Sequence, residues 1–401
     1  MGVDEALEDL LAGISALPAE RVDLDDALGL VLAESLEARE DHPAEDISAM
    51  DGYAVRAESL RAATPESPVS LPIGEDVRAG FPPTREVTDL ECARISTGAL
   101  VPTGADSVEM REYVEVVEGR AVFTRPIAKG ANVRYAGEHL RQGESPLTAG
   151  VLMGPAQLGM AAHLGYSQPL CHPRLKVAIL ATGSELVEGG ELARGQIRDS
   201  NGIALASAVR QLGCSVSLRE RVADDESALD AAIDRAVASS HVLLTSGGIS
   251  AGWHDLVRER IEGAGGKFVF HKLRMRPGKP VAFGRIGSLW VFCLPGNPVS
   301  SLVTFEVFVK PAMLKLMGRP YQPVEVQAEL AEPVEKKRGL TVFFRVALEA
   351  REDGLLPLAR LTGPQASHHL KSLVDADGLM VAGEEVERLE PGQGVKVRLW
   401  A

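Results

Sequence analysis

Cysteine is scarce in this chain, with four residues among 401. Cys92, Cys171, Cys214 and Cys293 lie far apart, and no two of them form a Cys-x-x-Cys pair. Four separated cysteines are too few for a disulfide framework and have the wrong spacing for a zinc site. We therefore expect the protein to fold in a reducing compartment without disulfide support.

The chain has fewer basic residues than acidic ones. The chain has 42 Lys and Arg against 56 Asp and Glu, which gives a formal net charge of −14. A nonspecific nucleic-acid-binding protein needs a broad basic face, so this class of protein is excluded. Any anionic ligand must instead be bound by a local group of cations.

Long apolar runs are also missing. No uninterrupted apolar segment approaches the roughly 18 residues that a membrane-spanning helix needs. Residues 1–6 are acidic where a signal peptide would be basic. These absences predict a cytoplasmic protein with no membrane contact.

The chain length predicts roughly two to four domains, and 45% hydrophobic content is typical of a globular protein. Residues 1–39 and 136–172 have helical periodicity, whereas 40–135 contain prolines and short β-branched runs. We therefore predict a split helical and linker domain, 1–39 plus 136–172, with the β-rich domain 40–135 inserted into it. In the first segment a second helix is indicated by Leu24, Leu28, Val31, Leu32 and Leu36.

The second half of the chain contains two further patterns. Residues 173–318 alternate apolar strands with amphipathic helices, which predicts a doubly wound α/β domain with a parallel sheet covered on both faces. Residues 319–401 lack helical periodicity and contain short alternating strands separated by Gly and Pro turns. This pattern predicts a C-terminal β-barrel or sandwich.

Three predicted strands of the α/β domain end in glycine-rich loops, at 181–186, 245–255 and 294–298. Ligands of such sheets bind beyond the carboxyl ends of the strands, where glycine lets backbone amides approach an anion. A glycine after a strand is more often only a turn, so one loop alone is weak evidence. Three such loops in one sheet favour a binding site.

The predicted group of cations lies at 271–280, where Arg276 and Lys279 surround Pro277 and Gly278. A run of charge is usually a solvated surface. Here Pro and Gly would hold the chain in a defined bend, so that Arg and Lys are presented to an oxyanion from a rigid base. The sequence favours a site for phosphate or a similar anion.

Several carboxylates lie near these loops. Asp255 follows the second glycine-rich loop, and Glu185 follows Gly183. Each side chain can coordinate Mg²⁺ beside a phosphate, and Asp255 can equally cap the next helix. In the β-rich segment, Asp51 and Thr97 belong to polar turns that suit either a hairpin or contact with a heterocycle.

Six motifs, in this order, resemble the molybdopterin molybdenumtransferases, which include the MoeA proteins and the E domain of gephyrin. The motifs are SAMDGYA (48–54), RISTGALVPTGADSVEM (94–110), ILATGSEL (179–186), TSGGIS (245–250), RPGKPVAFG (276–284) and LPGNPVSSLVTF (294–305). The resemblance extends over essentially the whole chain. Several motifs in a fixed order are far more specific than any single one.

The resemblance implies an elongated homodimer with a split helical and linker domain, a β domain, a molybdopterin-binding α/β domain and a C-terminal β-barrel. It implies an enzyme that uses Mg²⁺ to cleave adenylylated molybdopterin and inserts molybdate, which releases AMP and molybdenum cofactor. Molybdopterin adenylyltransferase and molybdopterin synthase are the implied pathway partners.

The resemblance also implies roles for individual residues. Asp51 of the partner subunit and Asp255 are expected to hold the metal and, with Lys279, to be catalytic. The other matched positions are expected to bind substrate: Thr97, Arg134, Glu185, Gly247, Gly248, Ser250, Arg276, Pro295, Pro298, Arg345 and Ser367.

The chain departs from the family at several motif positions. Arg276 replaces a Lys, Ile47 an Asn and Ala366 a Gly. His139 follows Arg134 at a distance where the family has a functional Asp. Two alternative functions therefore stay open: an enzyme that adenylylates molybdopterin, and a paralogue that binds the pterin with reduced activity or acts as a scaffold.

Overall fold

A computed structural model describes residues 1–248, 256–352 and 354–400. The predicted site residues Ser250 and Asp255 lie outside these ranges. The described chain divides into two units, which are treated separately below. One unit contains 1–34, 149–154 and 170–401, and the other contains 35–148 and 155–169.

The smaller unit is built on a six-stranded sheet from the segment predicted to be β-rich. Tyr53 and Phe123 pack edge to face in one of its two small cores. A second pairing joins the two short strands Ile47–Ser48 and Val133–Arg134, and the one α-helix described in this unit is Pro155–His163. In sheet order the strands are Ser107–Met110, Gly52–Val55, Cys92–Ile95, Val69–Val77, Arg120–Phe123 and Val114–Val117.

The larger unit contains a second six-stranded sheet with apolar side chains on both faces. In the strand Lys176–Thr182, Val177 and Ile179 belong to one hydrophobic core, and Ala178 and Leu180 belong to another. Alternation of this kind buries a strand on both faces. In sheet order the strands are Ser215–Val222, Lys176–Thr182, Val242–Ser246, Leu289–Leu294, Pro280–Ile286 and Lys267–Lys272.

The prediction of a wholly parallel sheet is wrong, because the sheet is mixed. Its first four strands are parallel, but Pro280–Ile286 pairs antiparallel with both of its neighbours. Gly287 adopts a φ of 57° in the short connection to Leu289–Leu294, which forms a hairpin instead of a helical crossover. Two strands joined by so short a turn must run antiparallel.

Helices cover this sheet and begin where the sequence places capping residues. Asp225 accepts a hydrogen bond from the Ala228 amide at the start of Glu226–Ser239. Pro298 occupies the first position of its helix, which continues through the π-helical segment Phe305–Val309. The described helices of this unit are Val3–Ala12, Asn201–Gln211, Glu226–Ser239, Leu256–Gly263, Pro298–Thr304, Lys310–Leu316 and Lys371–Val374.

The predicted second N-terminal helix, over residues 24–36, is wrong. The segment forms a short 3₁₀ turn, Leu24–Asp26, followed by the strand Val31–Leu32. Gly29 has a φ of 77°, which ends the helical conformation, and the strand pairs with Leu170–His172. The apolar spacing reflected burial of Val31 and Leu32 in a small sheet, not one face of a helix.

The C-terminal part of the larger unit is a closed five-stranded barrel. Thr341–Glu349 pairs with Leu358–Leu361 on one side and with Gly378–Ala382 on the other, which closes the ring. Gly394–Leu399 and Glu325–Leu330 complete it. The shorter strands of this unit are Glu20–Arg21, Leu186–Val187, Ile197–Arg198, Met275–Arg276, Val334–Glu335 and Arg388–Leu389.

None of the helices in the described ranges has both the length and the hydropathy required to cross a membrane.

Candidate active site

The glycine-rich loops meet at the carboxyl edge of the mixed sheet. There a cavity of about 870 Å³, named the sheet cavity, lies in the larger unit. The sequence reasoning predicted that these separate loops form one site. The predicted residues that line the sheet cavity are Glu185, Gly247, Gly248 and Pro298.

Glycine is required at the wall of this cavity. A Cβ atom added to Gly248 would lie 2.2 Å from Cγ2 of Val257, and one added to Gly247 would lie 2.6 Å from the carbonyl oxygen of Thr182. Both glycines also have positive φ values, which residues other than glycine rarely adopt. At these two positions the loop has no room for a side chain, so its backbone forms the wall of the cavity.

Asn201 braces two of the loops, a role that the sequence did not reveal. Its side-chain amide donates to Ser246 Oγ at 2.7 Å and to the Gly296 carbonyl at 2.8 Å. The bond to Gly296 holds the loop that contains Pro295 and continues into Pro298. Pro295 itself is buried. The sequence contains no local signal for this role, because the partners of Asn201 lie 45 and 95 positions away.

Acidic side chains line the sheet cavity, and they have different structural roles. Asp199 accepts a hydrogen bond from the Gly202 amide, and hydrogen bonds from Ser227 and Ala228 hold the pKa of Asp225 below its usual value. These two carboxylates cap helices. The carboxylates that line the cavity are Glu185, Asp199, Asp224, Asp225 and Glu226.

Glu185 is exposed in the cavity, and its carboxylate accepts no hydrogen bond from another described residue. Among the described residues, none competes with a ligand for this carboxylate, unlike the helix-capping carboxylates. Within the described ranges, no three or more His, Cys, Asp or Glu side chains are grouped so as to hold a metal ion. The pair of metal ligands expected from the resemblance includes Asp255, which lies outside the described residues. The described side chains alone therefore do not make a complete Mg²⁺ site.

A second cavity, of about 290 Å³, lies beside the barrel and is named the barrel cavity. Arg345 and Arg276 both line it. Arg345 is only 1% exposed, although it lies on a barrel strand whose neighbours are apolar. The structure thus brings together two cations that are 69 residues apart in the sequence.

The charge of Arg345 has no carboxylate partner within ion-pair distance in the described part of the chain. Its Nε donates to Ser372 Oγ at 3.1 Å, and its Nη2 donates to the Ala366 carbonyl at 3.3 Å. Burial and, to a lesser extent, nearby Arg276 together lower the pKa of Arg345 to about 10. The guanidinium is therefore protonated at neutral pH, and a buried cation of this kind is costly unless an anion approaches it.

Ser367 lines neither cavity, but its backbone contacts a residue at the edge of the sheet cavity. Its carbonyl accepts a hydrogen bond from the Val299 amide at 3.1 Å, at the start of the helix that begins with Pro298. The preceding residue, Ala366, accepts the bond from Arg345. A single segment therefore connects the barrel cavity to the edge of the sheet cavity.

The predicted bend at 276–279 is present, but its two cations differ in position. Gly278 has a φ of 98°, and an added Cβ would lie 2.4 Å from Cγ2 of Thr304, so the bend packs directly on a helix. Arg276 lines the barrel cavity, whereas Lys279 is exposed and lines neither cavity. Of the pair, only Arg276 is brought next to Arg345.

In the smaller unit, Asp51 and Thr97 form a joined pair. The Thr97 amide and hydroxyl donate to Asp51 Oδ1 at 2.8 and 2.9 Å. These two bonds hold the pKa of Asp51 below its usual value. Asp51 is therefore an ionised, exposed carboxylate whose second oxygen lies 4.0 Å from Arg111 Nη1.

Three models of protein families match the chain in sequence. The MoeA N-terminal region, domains I and II, matches residues 1–165, the probable molybdopterin-binding domain matches 178–315, and the MoeA C-terminal region, domain IV, matches 327–400. A relative from Mycobacterium tuberculosis, "Molybdopterin molybdenumtransferase 2", is 38% identical over 94% of each chain. The chain belongs to the MoeA family of molybdopterin molybdenumtransferases.

Other members of the MoeA family agree with this assignment. The molybdopterin molybdenumtransferase of Haemophilus influenzae is 33% identical over 94% of this chain and 93% of its own. The crystal structure of a molybdopterin biosynthesis MoeA protein from Pyrococcus horikosii is 34% identical, with a TM-score of 0.84 and coverage of 100% of this chain and 98% of that one. The expected MoeA-like fold is therefore confirmed.

Two positions singled out by comparison with the MoeA motifs are exposed in the smaller unit. Arg134 ends a two-residue strand in which it pairs with Ile47, the residue that departs from the family motif. His139 replaces the family Asp, and its ring lies 6.0 Å from that of His163, which lies 4.4 Å from His42. His139 is thus one of three neighbouring imidazoles, an arrangement with no sequence signal because the three residues are far apart.

Proposed function

We propose that this member of the MoeA family inserts molybdate into adenylylated molybdopterin in a Mg²⁺-dependent reaction and releases AMP and molybdenum cofactor. One observation carries the proposal. Arg345 is a buried guanidinium that lacks a carboxylate partner among the described residues and lies beside Arg276 in a small cavity. Molybdate is a tetrahedral dianion, and a bound dianion would offset the charge of both arginines.

The two cavities suit the two substrates by size and chemistry. The sheet cavity, about 870 Å³, is large enough for a pterin joined to a nucleotide, and its glycine loop offers backbone amides to phosphate. Ser250, Gly247 and Gly248 bind the phosphate in this proposal. Arg276, Arg345 and Ser367 bind molybdate, and Lys279 approaches the reacting groups from its exposed position.

The proposed chemistry balances in two steps. Water cleaves the phosphoanhydride of adenylylated molybdopterin, so that AMP leaves and the pterin keeps one phosphate. The two thiols of the pterin then replace one oxygen of molybdate, and their protons leave with that oxygen as water. The protein's side chains hold the dianion next to the dithiolene and exclude bulk water, which favours the second step.

A divalent cation would neutralise charge on the phosphoanhydride as it is cleaved. Asp51 and Asp255 are the residues proposed to hold it. Asp51 supports this role because it is ionised and one of its oxygens has no hydrogen bond from a described residue. Carboxylate oxygens are the protein ligands that Mg²⁺ prefers.

We further propose that the protein is a homodimer in which Asp51 and Thr97 of one subunit serve the site of the other. The substrate would come from a molybdopterin adenylyltransferase, which acts on the product of molybdopterin synthase. A cytoplasmic location also remains a prediction.

The alternative of ATP-dependent adenylylation is less well supported. Family models for the β-rich and barrel regions match this chain in addition to the model for the molybdopterin-binding domain. An enzyme that only adenylylates would have no evident use for Arg345, which belongs to the barrel.

The proposal is tested by incubating the full-length protein with adenylylated molybdopterin, MgCl₂ and molybdate. We expect release of AMP together with molybdenum cofactor that activates a cofactor-free molybdoenzyme. EDTA should abolish AMP release, and added Mg²⁺ should restore it. Absence of AMP and of active cofactor, with the folded protein at hand, would contradict the proposal.

A further inference from the structure

Two lysines to which neither the sequence motifs nor the comparisons assign a role line the barrel cavity. Lys336 and Lys337 follow the short strand Val334–Glu335, and both reach the cavity that contains Arg276 and Arg345. The cavity wall therefore carries four cationic side chains, in a protein whose net charge is −14. Such a concentration of charge in an acidic protein indicates an anionic occupant.

Three of the carboxylates near this turn form ion pairs with arginines outside the cavity, and none forms an ion pair with the four cations among the described residues. Glu335 is the one acidic residue among the described lining residues. The ion pairs are Glu335 with Arg388, Glu384 with Arg274, and Glu385 with Arg338. Glu384, Glu385 and Glu387 lie close enough to Lys336 to offset part of its charge, but the lining itself carries four cations and one carboxylate.

The two lysines differ in their contacts. Lys336 Nζ donates to the Leu340 carbonyl at 2.7 Å and to the Lys337 carbonyl at 3.3 Å, which fixes its ammonium group and leaves one donor free. The Lys337 side chain is exposed and forms no hydrogen bond or ion pair with another described residue. Lys336 is thus a fixed charge, and Lys337 can reach into solvent.

The size of the cavity limits what it can hold. At about 290 Å³ it has one third of the volume of the sheet cavity. A pterin joined to a nucleotide would not fit, whereas a tetrahedral oxyanion with its first water molecules would.

We propose that Lys336 and Lys337 complete an oxyanion-capture site in the barrel cavity. Lys337 draws a tetrahedral dianion from solvent, and Lys336 retains it together with Arg276 and Arg345. This inference rests on the proposed function, since it extends the molybdate site by two residues. It makes capture depend on charge at the cavity mouth and hence on ionic strength.

The test measures molybdate binding to the full-length protein by calorimetry at about 20 mM and 300 mM NaCl. At low salt, Lys337→Gln should weaken binding about threefold and the double change Lys336→Gln/Lys337→Gln about tenfold, and both differences should shrink at high salt. Lys337→Glu should weaken binding more than Lys337→Gln does. Lys396→Gln is the matched control, because Lys396 lies on the same barrel, is 66% exposed and lines neither cavity.

The outcomes separate this inference from the proposed function. If the wild-type protein binds molybdate and the Lys337 variants bind it equally well, Lys337 takes no part in capture and the inference is wrong, while the proposed function stands. If the wild-type protein binds no molybdate, the capture site is wrong too, and AMP release then decides the proposed function independently. Lys337 variants test the charge itself, because replacement of Lys336 also removes the bonds that hold the turn.

Discussion

At the scale of single residues, the proposed molybdate site depends on how Arg345 is held. Ser372 is buried and accepts from Arg345 Nε, and its own hydroxyl donates to the His369 carbonyl at 2.7 Å. Gln365 accepts from the Arg345 backbone amide at 2.9 Å. With Nε fixed in this way, the terminal nitrogens of the guanidinium keep one orientation, so Ser372 is a positioning residue for the anion site.

Replacement of Ser372 by Ala should raise the KM for molybdate about five- to tenfold and leave kcat at saturating molybdate nearly unchanged. The reason is that Arg345 Nε loses its acceptor, so the guanidinium no longer has one preferred orientation. Steady-state kinetics at varied molybdate, together with the free energy of unfolding, measure both effects. Ser372→Thr keeps the hydroxyl and should restore the KM; equal loss of kcat in both variants would show a purely structural role.

At the scale of elements, the bend between strands Met275–Arg276 and Pro280–Ile286 determines where Arg276 lies. Met275–Arg276 pairs with Thr341–Val342 next to the barrel, and Gly278 packs on the helix Pro298–Thr304. The chain can follow this path because Gly278 has no side chain and adopts a positive φ. The bend thus fixes the orientation of Arg276 through packing against a helix.

Gly278→Ala should lower the free energy of unfolding by about 1–3 kcal/mol and weaken molybdate binding, because the new methyl group meets Thr304 Cγ2 at a strained φ. Denaturant unfolding and calorimetry measure the two effects. Removal of the opposing methyl group in Gly278→Ala/Thr304→Ser should recover part of both. Gly392→Ala is a control for strain alone, since Gly392 also has a positive φ but no atom lies within 4 Å of an added Cβ.

The elements also show how far sequence reasoning extends. The glycine-rich loops after two strands of the sheet could be predicted to within two residues, because apolar runs followed by glycine are local signals. These loops line one cavity. The helix expected at Leu24–Leu36 could not be distinguished from strand Val31–Leu32, whose partner Leu170–His172 is more than 130 residues away. Local spacing contains no information about such a partner.

The same limit applies to the candidate site. Arg276 was predicted because Pro and Gly beside it indicate a bend. Lys336, Lys337 and Ser372 carry no local signal, since their importance arises only when the barrel closes and brings them next to Arg345. The ion pair of Glu335 with Arg388, which keeps Glu335 from pairing with the lysines, is likewise a property of the folded chain.

At the scale of the whole molecule, the proposed dimer makes a prediction that does not depend on any single contact. If each site uses Asp51 of one subunit and Arg345 of the other, neither Asp51→Ala nor Arg345→Gln homodimers should be active. Random mixing of the two variants makes half of the dimers mixed, and each mixed dimer has one intact site. Molybdenum cofactor synthesis should therefore recover to about one quarter of the wild-type rate.

This complementation is measured by unfolding the two variants together, refolding them and assaying the formation of active molybdenum cofactor. Mixing without unfolding is the control, because subunits that do not exchange should stay inactive. If the refolded mixture remains inactive although mixed dimers are present, Asp51 and Arg345 act within the same subunit or in separate reactions, and the shared site is wrong.

The most direct test of the central claim is a crystal of the full-length protein soaked in molybdate and measured at the molybdenum absorption edge. We expect an anomalous peak in the barrel cavity, with oxygen atoms within hydrogen-bond distance of the Arg345 guanidinium and of Arg276. A well-ordered molybdate elsewhere, with the barrel cavity filled only by water at saturating molybdate, would contradict it.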